Sequence, residues 1–197
     1  AEAWRIRAIA HTGRGEPDEV LAAFENGRRA PGTQARLLAD FAHFRMGQGD
    51  LEGARELANL ALRADPENLA ALMVTGDLAL AQRRLRPALA WYARASRLYP
   101  ESRRAMVARI AMLTELGQFA RAGDLVAQAR VDAPLDTDLL YFDALLAAIE
   151  NGIEETQKYR SFRLERYIAD NWWFGIFKRF GFRFFDQRLD KSLHQPG

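Results

Sequence analysis

The chain has 197 residues, 49% hydrophobic and 27% charged, which is globular usage, and 28 basic against 26 acidic side chains leave a net charge of only +2. It contains no cysteine, which excludes disulfides and thiolate metal sites, and no run of 18 apolar residues that could form a membrane-spanning helix. Alanine, leucine and arginine dominate and β-branched residues are few, so the composition favours helices, and the near-balance of charge by itself implies no polyanion partner.

Taken from the N-terminus, helical stretches alternate with breaks in a fixed order. The first stretch opens with AEAW and breaks near Gly15; Pro17 restarts a helix that Pro31 closes. The second breaks near Gly49 and closes at Pro66, and the fourth breaks near Gly117 and closes at Pro134. In the third, Arg83 stands where the others have glycine, Pro87 lies in the first turn of the second helix, and Pro100 closes the unit. The closing prolines are spaced by 35, 34 and 34 residues. A period of that length predicts stacked two-helix units, because one unit alone cannot bury its apolar side.

Side-chain size follows the same rhythm. Ala54 and Ala61, Ala88 and Ala95, and Ala122 and Ala129 are each seven residues apart, so two successive turns of one helix face present only methyl groups. Such faces let helix backbones approach closely. Bulky residues at Leu38, Phe41, Leu72, Tyr92, Leu98, Met106, Phe119 and Val126 are expected to fill the space between helices.

The period, the AEAW opening, the mid-repeat glycines, the alanine rows and the Asp65-Pro66 ending together resemble the tetratricopeptide repeat family. The resemblance covers residues 1 to about 152 and divides them into repeats at 1–34, 35–68, 69–102 and 103–136, with the first helix of a fifth at 137–150. It implies an all-α fold, a right-handed α–α superhelix of helix-turn-helix repeats whose first helices line a concave, peptide-binding face. Positions carried over from the family place Arg5, Ile9, Arg36, His43, Met46, Met73, Asp77, Leu80, Arg104, Val107, Tyr141 and Leu145 on that face. The lysine and asparagine clamp with which chaperone-binding members hold a terminal carboxylate is absent: Arg5, Ile9, Ala39 and His43 occupy its positions. The methionines and aliphatic residues instead suit an apolar or aromatic segment, with Arg5, Arg36 and Arg104 steering acidic flanks.

Beyond residue 152 the character changes. All 19 basic residues before Lys158 are arginine, whereas lysine appears three times from there on, and 11 of the 21 aromatic residues lie between Tyr159 and Phe185. Residues 153–170 read as a terminal or capping helix, and residues 171–197 as an aromatic-basic segment that includes Trp172, Trp173, Phe174, Phe177, Lys178, Arg179 and Phe180. Three roles stay open for this segment. It could cap the solenoid, contact a membrane surface or a partner as an interfacial segment, or sit in a groove of its own or a neighbouring copy, which would make the chain self-associate.

No catalytic constellation, cofactor or metal site is expected. His11, His43 and His194 have no metal-ligand spacing, and the GRGEP run at residues 13–17 lacks the lysine and the preceding strand of a phosphate loop. Arginines scattered over all the repeats disfavour nucleic acid. The sequence therefore reads as a non-enzymatic scaffold or adaptor that binds a protein or peptide. The alternative is a membrane-peripheral protein anchored by its aromatic-basic end. Arginine-rich, lysine-poor usage points to a GC-rich bacterial source, with the cytoplasm or periplasm, or the cell envelope, as the expected compartment.

Overall fold

A computed structural model describes residues 1–32 and 34–151. Among them the chain forms α1 (Glu2–Arg14), α2 (Pro17–Arg29), α3 (Ala35–Gly47), α4 (Leu51–Ala64), α5 (Leu69–Ala81), α6 (Leu85–Leu98), α7 (Arg103–Glu115), α8 (Phe119–Asp132) and α9 (Thr137–Glu150), with no strand. The expected helix over 153–170 and the segment over 171–197 lie outside the described residues.

Local chemistry sets the helix ends. Side chains of Asp50, Asn68, Ser102 and Asp136 accept backbone N–H bonds in the first turns of α4, α5, α7 and α9, from Gly53 at 2.9 Å, Ala71 at 3.3 Å, Ala105 at 3.3 Å and Leu139 at 3.1 Å. The turns between paired helices share one device. Gly15, Gly49, Arg83 and Gly117 have φ of 81°, 82°, 59° and 73°. The next residue in each case donates its N–H back across five residues, as Glu16 does to His11 at 3.2 Å and Asp50 to Arg45 at 3.0 Å. Arg84 to Ala79 at 2.8 Å and Gln118 to Leu113 at 2.9 Å complete the set. The motif requires the left-handed region, where a Cβ crowds the following carbonyl. Arg83 pays that steric penalty in the third turn. Replacing it with glycine is expected to raise stability by about 0.5–1 kcal/mol, the relief of strain exceeding the added freedom of the unfolded chain. Urea unfolding of the two forms measures this, and an unchanged or lower midpoint would show that the side chain outweighs the backbone.

Helices pair as α1 with α2, α3 with α4, α5 with α6 and α7 with α8; among the first helices α1 lies beside α3, α3 beside α5 and α7 beside α9, while α7 packs chiefly on α6. The alanine rows pack as the sequence predicts: Ala54, Ala61, Ala88, Ala95, Ala122 and Ala129 are all buried. Leu38, Phe41, Leu72, Tyr92 and Val126 fill the interior, and Phe24 stacks on Phe41 with ring centroids 4.9 Å apart. Met106 and Phe119 are half-buried. Leu98 departs from expectation: as the last residue of α6 it stays 38% exposed, since the helix ends there and the neighbouring elements do not reach over it.

The core has two parts that meet at α5. Ala71, Val74 and Leu78 of that helix face the part built with α2–α4, whereas Leu72, Met73 and Ala79 face the part that runs on to α9. Helix α5 is therefore enclosed on nearly all sides. Gly76 is needed at one of them, because a Cβ there would come within 2.5 Å of the Tyr92 ring.

Candidate functional site: the wall of first helices

The wall formed by α1, α3, α5, α7 and α9 is where the sequence places the binding face. Its charged residues are largely engaged in tying one first helix to the next. Arg5, buried in α1, donates through Nη1 to Asp40 Oδ2 of α3 at 3.0 Å and through Nη2 to Glu2 Oε1 at 2.7 Å. The hydrogen bond from Arg5 holds the Glu2 carboxyl below its usual range, while burial pushes that of Asp40 up against the pull of the same guanidinium. Between α7 and α9, Arg103 donates to Asp136 Oδ1 at 3.0 Å and also reaches Asp138.

At the centre of the wall lies a buried polar cluster. The Tyr92 hydroxyl of α6 donates to Asp77 Oδ1 of α5 at 2.6 Å. Asp77 Oδ2 faces Arg104 Nη2 of α7 at 3.6 Å and His43 Nε2 of α3 at 3.8 Å. Burial pushes the Asp77 carboxyl up to about 7, although Arg104 and the tyrosine bond pull it down. Burial, helped by the charge of Arg104, holds His43 well below the usual histidine range, so its contact with Asp77 is polar and not ionic at neutral pH. Burial and the adjacent carboxylate drive the Tyr92 hydroxyl up. Four helices thus converge on one carboxyl group, an arrangement suited to setting the register of neighbouring hairpins.

The residues expected on the binding face divide into three groups. Ile9, Met46, Leu80 and Tyr141 are half-buried, which leaves part of each side chain on the surface, and Arg36 is exposed. Arg5, His43, Asp77 and Arg104 make the polar contacts just described. Met73, Val107 and Leu145, at 2%, 0% and 8% exposure, correct the expectation: they belong to the core and offer no surface to a guest. Arg5 likewise is not free to steer a partner's acidic flank, because Glu2 and Asp40 saturate it. The remaining residues singled out in sequence, Trp172, Trp173, Phe174, Phe177, Lys178, Arg179 and Phe180, lie outside the described residues.

Sequence reasoning passed over Asp40 and gave Tyr92 only a packing role. Charge spacing alone carries no signal for Asp40, since Arg5 stands 35 residues away. The burial of Met73 did have a signal. Residues 69–81 carry a single charged side chain, Asp77, and a helix apolar on all sides belongs inside a structure.

Among the described residues no helix is long and apolar enough to cross a membrane, and no group of three potential metal ligands is found. No family model matches the sequence, and no curated protein matches it. Solved structures do match. A tetratricopeptide repeat protein from Parabacteroides merdae is similar at 16% identity and a TM-score of 0.67, over 86% of this chain and 67% of that one. A chain of the Naa15/Naa10 complex bound to HypK-THB is similar at 19% identity and a TM-score of 0.65. That match covers 84% of this chain, which spans only 25% of the length of its counterpart. A MamA mutant gives 17% identity and a TM-score of 0.58, over 78% of this chain and 90% of that one. Helix order, turn geometry and these likenesses lead to one conclusion: the fold is all-α, the right-handed superhelix of tetratricopeptide repeats.

Proposed function

We propose that the chain is a protein-binding scaffold whose wall of first helices holds an apolar or aromatic segment of a partner. The observation that carries this reading is the wall's preorganisation. Side-chain contacts join α1 to α3, α3 to α5 and α7 to α9, so little order remains to be imposed on binding. Against that frame Met46 and Leu80 stand at matching places on the neighbouring helices α3 and α5, partly exposed and apolar. An amphipathic helix or an extended aromatic segment is the matched guest, with the exposed Arg36 meeting acidic residues beside it. The similar Naa15/Naa10 structure is that of a complex bound to HypK-THB, which supports a protein partner in kind. The arginine-rich, lysine-poor usage supports a bacterial source, and the setting proposed for the scaffold is a multiprotein assembly at the envelope or in the cytoplasm or periplasm.

The test is capture by immobilised full-length protein, with cross-linking to locate the partner on the surface. The double variant Met46→Glu/Leu80→Glu is expected to lose at least about tenfold in affinity for whatever the parent captures, with helicity retained, because two apolar contacts become unpaired charges facing an apolar guest. Capture that survives the double variant, or cross-links confined to second helices, would place the binding surface elsewhere.

A further inference from the structure

The second helices carry a feature that the wall does not explain. Helix α6 contains three arginines and no acidic residue, and Arg86, Arg94 and Arg97 project from one exposed face, opposite the buried Ala88, Tyr92 and Ala95. From α7 the half-buried Arg109 reaches toward this helix and lies 3.5 Å from the Ser96 hydroxyl, next to Arg97. Arg121 comes from the first turn of α8, where the helix dipole already favours a negative group. The charges of Arg121 and Arg97, after burial itself, weaken the hold of Arg109 on its proton. Some guanidinium groups elsewhere find carboxylates close by: Arg28 pairs with Glu25, Arg45 with Asp50, and Arg130 with Asp143. None of Arg86, Arg94, Arg97, Arg109 and Arg121 has a carboxylate of the described residues at ion-pair distance.

We propose that Arg97, Arg109 and Arg121, brought together by α6, α7 and α8, form a docking patch for a short acidic segment of a partner polypeptide, on a face separate from the wall of first helices. Crowded like charges raise the energy of the free protein, and an incoming carboxylate relieves it. The planar guanidinium fork matches a carboxylate in two parallel bonds. A protein segment fits better than nucleic acid, because 28 basic residues against 26 acidic ones give the chain no overall field to concentrate a long polyanion.

Fluorescence anisotropy with a labelled oligoglutamate peptide and the full-length protein tests the assignment. Arg97→Gln/Arg109→Gln/Arg121→Gln is compared with the charge-matched Arg14→Gln/Arg29→Gln/Arg63→Gln, whose arginines are exposed and scattered. Binding by the parent is expected to weaken with salt. The patch variant should lose at least about tenfold and the matched variant no more than about twofold. Without peptide, the patch variant should melt no lower than the parent, since repulsion is removed, which separates lost binding from lost structure. Equal losses in the two variants, no binding by the parent, or tighter binding of a single-stranded oligonucleotide of equal charge would each overturn the assignment.

Discussion

Met73→Glu is expected to unfold the array and not merely to blunt partner capture. The side chain is 2% exposed and sits in the part of the core shared by α5–α9. A carboxylate there leaves water for a closely packed apolar setting, at a cost of about 3–5 kcal/mol. For a domain of this size each kcal/mol lowers the melting temperature by roughly 2–4 °C, so a fall of roughly 10 °C or more should appear in thermal circular dichroism. Leu80→Glu, on the same helix but half-buried, should cost far less because its carboxylate can turn to solvent. A Met73→Glu protein that melts within a few degrees of the parent would return Met73 to the accessible wall, where the repeat register by itself places it.

The second large effect is a pH dependence carried by Asp77. Its carboxyl is pushed from 3.8 in the unfolded chain to about 7 in the folded one, so between these values the folded protein holds a proton that the unfolded chain has released. This contribution to stability is fully present below the unfolded value and is lost as pH rises through about 7. Between pH 5 and pH 8 the loss amounts to about 2–3 kcal/mol. His43 acts with the opposite sign. Its folded value lies below 6.5, so the unfolded chain binds the extra proton, and stability from this group falls as pH drops below 6.5. The two slopes oppose each other in the acid range and flatten the parent's profile. Asp77→Asn removes one of them. Relative to the parent, that variant should therefore gain about 2–3 kcal/mol between pH 5 and pH 8, as read from urea midpoints at each pH. A constant difference across the range would mean that Asp77 is ionised throughout, held by Arg104 and the 2.6 Å tyrosine bond.

These expectations mark how far the repeat pattern reaches. Turn positions were legible because their chemistry is local. Glycine at residues 15, 49 and 117 supplies the left-handed backbone directly, and Arg83, the exception in sequence, adopts the same conformation because the flanking helices impose it. The alanine rows were legible for a similar reason: a face with only methyl groups has few uses other than close helix packing. Register along the first helices, however, says only which side of a helix a residue occupies. It does not say how deep that side lies. Met73 and Leu80 share a side of α5, yet one is enclosed and the other half-open, because depth depends on how closely α3, α6 and α7 crowd each turn.

From the chain alone follow the helical content, the 34-residue rhythm, the places where each helix stops and the rows along which helices touch. All of these are encoded within one or two helical turns, by propensity, capping and side-chain size. The tertiary structure decided which wall residues are core, that Arg5 is bound to Asp40, that Asp77 collects Tyr92, His43 and Arg104 from three other helices, and that arginines of three helices crowd together on another face. Those partners stand between 12 and 35 residues apart along the chain, and a pairing at such separation is settled by how the hairpins stack and not by any pattern within one of them.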